Sequence, residues 1–275
     1  MKSATAEIEA LELRLLLEAI HEKSRYDFRG YSSASLKRRL TQAKDHFQCA
    51  SLSELQHRVL HDPSFVVQLL PYLTVQVSEF FRDPSYFLAL RKHVLPHLKT
   101  YPSLKVWVAG CSAGEELYSL AILFREEGLE SRTIFYATDI NGDALKRAEA
   151  GVYEIDRLAL FTENHRRAGG RTSLSDYYTA AYDRARFDPS LRKRTVFSDH
   201  SLVSDAVFAE TQLVSCRNVL IYFNRDLQDR AVSLFKDSLV RRGFLGIGAK
   251  ENLRFSRHAD AFAEFNREER IYQRT

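Results

Sequence analysis

The feature that most constrains this chain is a change of apolar period near residue 100. From Ala6 to about Leu98 apolar residues recur every three or four positions, as in Ile8, Leu11, Leu15 and Ala19, and again in Leu36, Leu40, Ala43 and Phe47. That period predicts amphipathic helices. Gly30 is the one glycine in the stretch, and Ser51-Leu-Ser-Glu54 reads as a capping box opening a helix that runs to about Leu60. Beyond Lys99-Thr-Tyr-Pro-Ser103, short apolar runs alternate with longer helical stretches. A strand is expected over 104–110, a helix over 115–128 closed by Gly128, a strand over 133–139, and a helix over 142–151 closed by Gly151. Alternation of this kind implies a parallel sheet wrapped by helices. The expected organisation is therefore a helical domain over residues 1–99 and an α/β domain over 100–275.

Residues 152–197 break the rhythm. They are polar, rich in Arg and Tyr (Arg166, Arg167, Arg171, Tyr177, Tyr178, Tyr182), and carry the turn signal Ala168-Gly-Gly-Arg171, so they read as an insertion. The alternation resumes with an apolar run over 208–216, a helix from about Arg225 to Val240, and strands over 243–248 and 269–275. No internal repeat is visible.

Composition narrows the class. With 45% hydrophobic and 28% charged residues in 275, 11 glycines and 6 prolines, the chain is neither fibrous nor low-complexity. The charge-free stretch from Ser64 to Val77 is too short to span a bilayer. Acidic residues occupy the amino-terminal stretch where a signal peptide needs unbroken apolar sequence, so a cytoplasmic location without membrane insertion is expected. Cys49, Cys111 and Cys216 are odd in number and widely separated, which excludes a disulfide framework and a CxxC site, and none of the nine histidines belongs to an HExxH motif. A net charge of +4 is too small for a generic nucleic-acid binder. No metal is expected, and the chain is expected to be a monomer.

In a doubly wound sheet the ligand crevice lies at the carboxyl ends of the strands. Val106-Trp-Val-Ala-Gly-Cys-Ser-Ala-Gly-Glu-Glu116 ends a strand and opens a helix there. Gly110 and Gly114 permit a sharp turn and a close backbone approach to a ligand, while the helix start offers free N–H groups. The spacing is not the GxGxxG of dinucleotide folds, and Glu115 and Glu116 would repel a pyrophosphate. Asp139, at the end of the next strand, is placed to accept both hydroxyls of a ribose. A nucleoside without phosphate but with a charged amino-acid tail describes S-adenosylmethionine.

Four segments now carry a resemblance: VWVAGCSAGEELYSLAILF, YATDIN, LVSCRNVLIYF and, in the helical part, LTVQVSEFFRDP. Together, in this order, they resemble the CheR-type methyltransferases that methylate chemotaxis receptors. The resemblance implies a Rossmann-like S-adenosylmethionine-dependent methyltransferase domain with a small inserted β subdomain, preceded by an all-helical domain. It further implies esterification of glutamate side chains on receptor helical bundles, with S-adenosylhomocysteine as product. Carried onto this sequence, the cofactor contacts are Gln76, Ser78, Arg82, Gly110, Gly114, Glu115 or Glu116 (Glu116 marginally preferred), Asp139, Ser201 and Leu202, with Arg217 and Asn218 beside the methyl and Tyr222 close behind. Gln76, Ser78 and Ser201 depart from the Asn, Thr and Asn frequent in the family. Arg217, Asn218 and Tyr222 are the expected positioning residues at the reacting centre.

The chemistry fits the absence of a catalytic triad or paired carboxylates from the motifs. A glutamate titrates near ~4.3 and is already ionised at neutral pH, so methyl transfer to it needs alignment and removal of water rather than a general base. Between Asp27 and Asp45 stand five cations and no acid, and Lys37, Arg38, Arg39 and Lys44 are read as a docking surface for an acidic helical region of a chemoreceptor or related signalling protein. Two alternatives stay open: a methyltransferase of this fold acting on another protein or a small molecule, and a non-catalytic cofactor-binding adaptor.

Overall fold

The computed structural model describes residues 2–24 and 26–275 and divides into two compact units, residues 1–75 with 222–228 and residues 76–221 with 229–275.

The first unit is helical: α1 (Lys2–Lys23), α2 (Ser33–His46), α3 (Leu52–His61) and α4 (Phe65–Leu73). Its core includes Leu16, Ile20, Leu36, Leu40, Leu55 and Leu69. Leu36, Leu40 and Ala43 of α2 are buried as their spacing predicts, whereas Ile8, Leu11 and Leu15 of α1 are 59%, 47% and 38% exposed. The reason lies in Leu11-Glu-Leu-Arg-Leu-Leu-Leu17, which writes two apolar stripes on one helix. The stripe Leu13, Leu16, Leu17 and Ile20 is the buried one, and α1 packs on α3. At the start of α3 the Ser51 hydroxyl accepts from the Glu54 N–H at 3.3 Å, and Glu54 accepts in turn from the Ala50 N–H at 2.8 Å. Residues 222–228 return to this unit: the Ser32 N–H donates to the Tyr222 carbonyl at 2.8 Å and the Asn224 N–H to that of Gly30 at 2.7 Å. A Cβ at Gly30 would lie 2.5 Å from Leu227, which accounts for the lone glycine.

The second unit opens with α5 (Pro84–Ala89), a π-helical turn (Leu90–Val94) and α6 (Leu95–Leu98). The division expected at residue 99 thus falls at residue 75. Phe81, Tyr86, Phe87, Leu90 and Leu95 share one apolar core with Val106, Val108 and Leu120 of the α/β layers. Helical period reports local structure, and these helices are helical while belonging to the sheet.

Then follow β1 (Leu104–Ala109), α7 (Glu115–Glu126), β2 (Thr133–Asp139), α8 (Gly142–Ala150), β3 (Val152–Glu154), α9 (Leu158–Arg167), β4 (Tyr178–Ala181), β5 (Arg184–Phe187), β6 (Thr195–Asp199), β7 (Thr211–Cys216), α10 (Arg225–Ser238), β8 (Leu239–Ile247), β9 (Phe262–Asn266) and β10 (Ile271–Arg274). The main sheet has the order β6-β2-β1-β7-β8-β10-β9. Its first five strands are parallel, and β10 runs antiparallel to both β8 and β9. β3, β5 and β4 form a separate antiparallel sheet. The insertion ends before Thr195 rather than at 197, because β6 pairs with β2 as the edge of the main sheet. Phe80 fastens the inserted sheet: its ring stacks on Phe187 at 4.3 Å and meets Tyr153 and Phe161 at 4.8 and 5.0 Å.

Candidate functional site

Strand order reverses between β1 and β7, so the crevice at their carboxyl ends is where a ligand fits this sheet. The turn from β1 into α7 passes through three positive φ values, Gly110 (72°), Ser112 (51°) and Gly114 (96°). The N–H groups of Gly110 and Cys111 stitch it to β2 by donating to the Thr138 carbonyl at 2.8 and 2.9 Å. A Cβ at Gly110 would sit 2.6 Å from Val219, and one at Gly114 2.8 Å from Ala148. The sharp turn is as predicted, but the space beside both glycines is taken by the protein's own side chains.

Asp139 is buried, and its carboxylate accepts from the Ser112 N–H at 2.8 Å and the Asn141 N–H at 2.9 Å. Burial pushes its carboxyl up, against the pull of those backbone bonds. A carboxylate offers about four lone-pair positions, so acceptor capacity remains beyond these backbone bonds. The Ser112 hydroxyl also donates to Oε1 of Gln76 at 2.9 Å, so Gln76 and Asp139 flank one residue of the turn.

Two acids stand at the start of α7. Glu115 is buried and meets the Ser78 hydroxyl, but its Oε2 has no hydrogen-bond partner. Glu116 accepts from the Ser215 hydroxyl at 2.6 Å, its other oxygen lies 3.8 Å from Arg217, and Arg82 is within Coulombic range. Burial raises both carboxyls. A buried carboxylate oxygen without a partner is costly, and it suits a cationic ligand group.

The segment preceding α5 holds Arg82 between two strained residues, Phe81 (φ 50°) and Asp83 (φ 55°). Phe80 and Phe81 are its anchors: both rings are fully buried, and the Phe81 N–H donates to the Ser119 hydroxyl at 2.8 Å. Arg217 clamps the same turn, donating to the Arg82 carbonyl at 3.0 Å and to Asp83 at 2.6 Å, with its guanidinium 4.1 Å from the centre of the Tyr86 ring. Both terminal nitrogens of Arg217 are engaged by this clamp, while its buried Nε has no hydrogen-bond partner. Strain clustered in this way at one end of a sheet is characteristic of functional sites.

Asn218 follows with φ 61°, its N–H donating to Glu251 at 3.1 Å. Glu251 also accepts from the N–H groups of Gly248 (2.6 Å) and Ile221 (3.1 Å). Ser201 lies just beyond β6, and its hydroxyl accepts from the N–H groups of Val203 (3.2 Å) and Ser204 (3.3 Å), shaping the turn that carries the buried Leu202. Tyr222 belongs to the helical unit, its ring centroid 5.8 Å from the Arg39 guanidinium.

Arg39 does not belong with the docking residues. It is only 8% exposed, and its guanidinium donates to the carbonyls of Leu73 at 2.6 Å and Ser35 at 3.2 Å. Lys37 and Arg38 are exposed, Lys37 pairing with Glu9, and Lys44 is half-buried with Asp45 at 3.8 Å. The sequence reading missed Ser112, Asp83, Ser215 and Glu251. The only signal for Glu251 was its place just after the strand end Gly246-Ile-Gly248. All three cysteines are buried and free. Among the described residues no cluster of His, Cys, Asp and Glu could hold a metal ion, and no helix is long and apolar enough to cross a membrane.

Comparison with known proteins agrees with this donor set. The chain matches the family model "CheR methyltransferase, SAM binding domain" over residues 76–271 and "CheR methyltransferase, all-alpha domain" over 11–74. It is 57% identical to the putative methyltransferase Cher3 of Pseudomonas putida over 96% of this chain and 97% of that one. It is 32% identical to a chemotaxis protein methyltransferase of Listeria innocua over 81% and 83%. Among solved structures, the glycopeptide N-methyltransferase MtfA with sinefungin aligns over 62% of this chain and 50% of its own, at a TM-score of 0.38 and 11% identity. Three buried acids of raised pKa, one with an orphaned oxygen, fit a cationic sulfonium amino acid joined to a nucleoside and would repel a phosphate. The chain belongs to the CheR methyltransferase family, and S-adenosylmethionine is its cofactor.

Proposed function

We propose that this chain is a protein-glutamate O-methyltransferase forming glutamyl methyl esters on chemoreceptors or receptor-like signalling proteins. The observation that carries the reading is the pairing of acids at the start of α7 with Asp139 at the end of β2, set at the switch point of the sheet. In this reading Asp139 takes the ribose hydroxyls, Glu115 or Glu116 the ammonium group, Arg82 the carboxylate, and Gln76, Ser78, Ser201 and Leu202 line the remainder. Bound there, S-adenosylmethionine supplies a methyl group on a sulfonium whose leaving group is a neutral thioether.

The protein's own task is positional. Arg217 holds the turn at Arg82, Glu251 holds the backbone of Asn218, and Asn218 orients the incoming glutamate. Because a carboxylate and a sulfonium lose their charges together, a site that removes water from both favours the neutral products. The acceptor needs no proton removed, so none of these residues has to act as a base. Lys37, Arg38 and Lys44 on α2 supply a cationic face for an acidic receptor helix.

The test is to incubate the chain with methyl-labelled cofactor and membranes carrying chemoreceptors, then treat the product with mild alkali. Label released as methanol identifies a carboxyl ester. Alkali-stable label moves the acceptor to nitrogen or carbon, and cofactor binding without label removes the enzymatic reading for those acceptors.

A further inference from the structure

The hairpin joining β9 and β10 has no role in the site so far described. Ile247 at the end of β8 pairs with Cys216 at the end of β7, one residue before Arg217, and the Ile247 N–H donates to the Arg270 carbonyl at 3.2 Å. The hairpin therefore stands at the carboxyl edge of the sheet, the same edge that carries Arg217 and Asn218. A depression of about 450 Å³ opens there, lined by Asn252, Arg254, Arg267, Glu268 and Arg270. Asn252 directly follows Glu251, whose carboxylate fixes the Asn218 backbone. Among the described residues Arg254 and Arg270 have no acidic partner, and Arg267 has only Glu264 at 4.0 Å.

Three guanidinium groups against one carboxylate leave a net positive depression beside the reacting edge. From this geometry we infer that it receives carboxylates of the methyl-acceptor protein that neighbour the glutamate being esterified. This rests on the proposed function, and it adds a recognition element within the catalytic unit to the cationic face of α2. The chemistry favours spaced carboxylates over a compact phosphate. Glu268 stands in the lining and opposes a dense dianion, while arginines spread around so wide a depression match acids distributed along a segment. Screening by salt follows, because the cations lie at the surface.

The experiment uses the full chain, a fluorescein-labelled polyglutamate peptide and fluorescence anisotropy at low salt. The substitutions are Arg254→Gln with Arg267→Gln, both exposed positions, and thermal unfolding checks that the fold is retained. The expected result is an affinity reduced about fivefold to tenfold in the double variant, the loss shrinking as salt rises. Equal binding by variant and unsubstituted chain, or no binding by the unsubstituted chain, overturns the inference. So does pyrophosphate binding that is lost in the variant while polyglutamate binding is unchanged, since that makes the depression a phosphate site. Methyl transfer by the unsubstituted chain is measured separately and decides the functional reading whatever the peptide does.

Discussion

Replacing Glu126 by Gln tests whether a buried ionic network holds the inserted sheet to the catalytic unit. Glu126 ends α7, and its side chain is 1% exposed. It accepts from Arg91 of the π-helical turn at 2.5 Å, from His165 of α9 at 3.0 Å, from the Arg171 N–H at 3.1 Å and from the Tyr177 hydroxyl at 3.2 Å. Burial by itself pushes this carboxyl up, but the bonds from His165, Arg91 and Arg171 outweigh it and hold it at about 2 against an ordinary 4.5. That difference corresponds to about 3 kcal/mol of stability at neutral pH. The folded state binds the proton less tightly than the unfolded state, so this stability is complete above the ordinary carboxylate pKa and drains away as pH falls towards the folded value. At about pH 3.5, roughly one unit below the ordinary value, about 1.4 kcal/mol of it is gone. Trp107 is the only tryptophan, lies fully buried in β1, and so reports unfolding of the α/β unit alone. In urea titrations followed by Trp107 fluorescence, Glu126→Gln should be about 3 kcal/mol less stable than the unsubstituted chain near pH 7, narrowing to about 2 kcal/mol near pH 3.5. A gap that stays constant across this range would refute the assignment of the lowered pKa to this network.

Asp139→Ala should weaken cofactor binding at least about tenfold by calorimetry, because it removes the acceptor and leaves the N–H groups of Ser112 and Asn141 unpaired. Unchanged affinity would remove Asp139 from the site. Lys37→Glu with Arg38→Glu should leave cofactor affinity intact and slow receptor methylation most at low salt, whereas normal methylation there would end the docking proposal for α2. Arg39→Ala should lower the melting stability of the helical unit by about 1–3 kcal/mol, against less than about 0.5 kcal/mol for Arg38→Ala, since only Arg39 is buried and bonded to a carbonyl. Similar losses in the two variants would contradict the burial of Arg39.

The strands that lie inside the sheet were readable because both of their faces are covered, which makes Val106-Trp-Val-Ala109 and Leu213-Val-Ser-Cys216 nearly continuous apolar runs. β6 and β9 lie at the two edges, alternate weakly with exposed positions, and gave no such run. This is why β6 was absorbed into the insertion and β9 passed unseen. The FFR segment announced Arg82, but not that Phe80 and Phe81 secure it, because Phe161, Phe187 and His165, which their rings meet, lie far along the chain in α9 and the inserted strands. Arg39 was misread for a simpler reason: its neighbours Lys37 and Arg38 are exposed, and charge alone does not say which of three consecutive cations faces inward. The two acids at the start of α7 were legible as a pair, while their different partners, Ser78 for Glu115 and Ser215 with Arg217 for Glu116, are not adjacent to them in sequence.

The return of residues 222–228 to the helical unit has a consequence for how the protein can be taken apart. The chain leaves that unit after Val75, re-enters it at Tyr222 and leaves again after Gln228, so α10 begins in one unit and ends in the other. A gene truncated at residue 75 would encode four helices without the strand-like bridge that Phe223 makes to Tyr31 and without the Leu227 side chain that fills the space beside Gly30. The two units are thus interleaved in the gene, and neither can be excised by a single cut with all of its own parts.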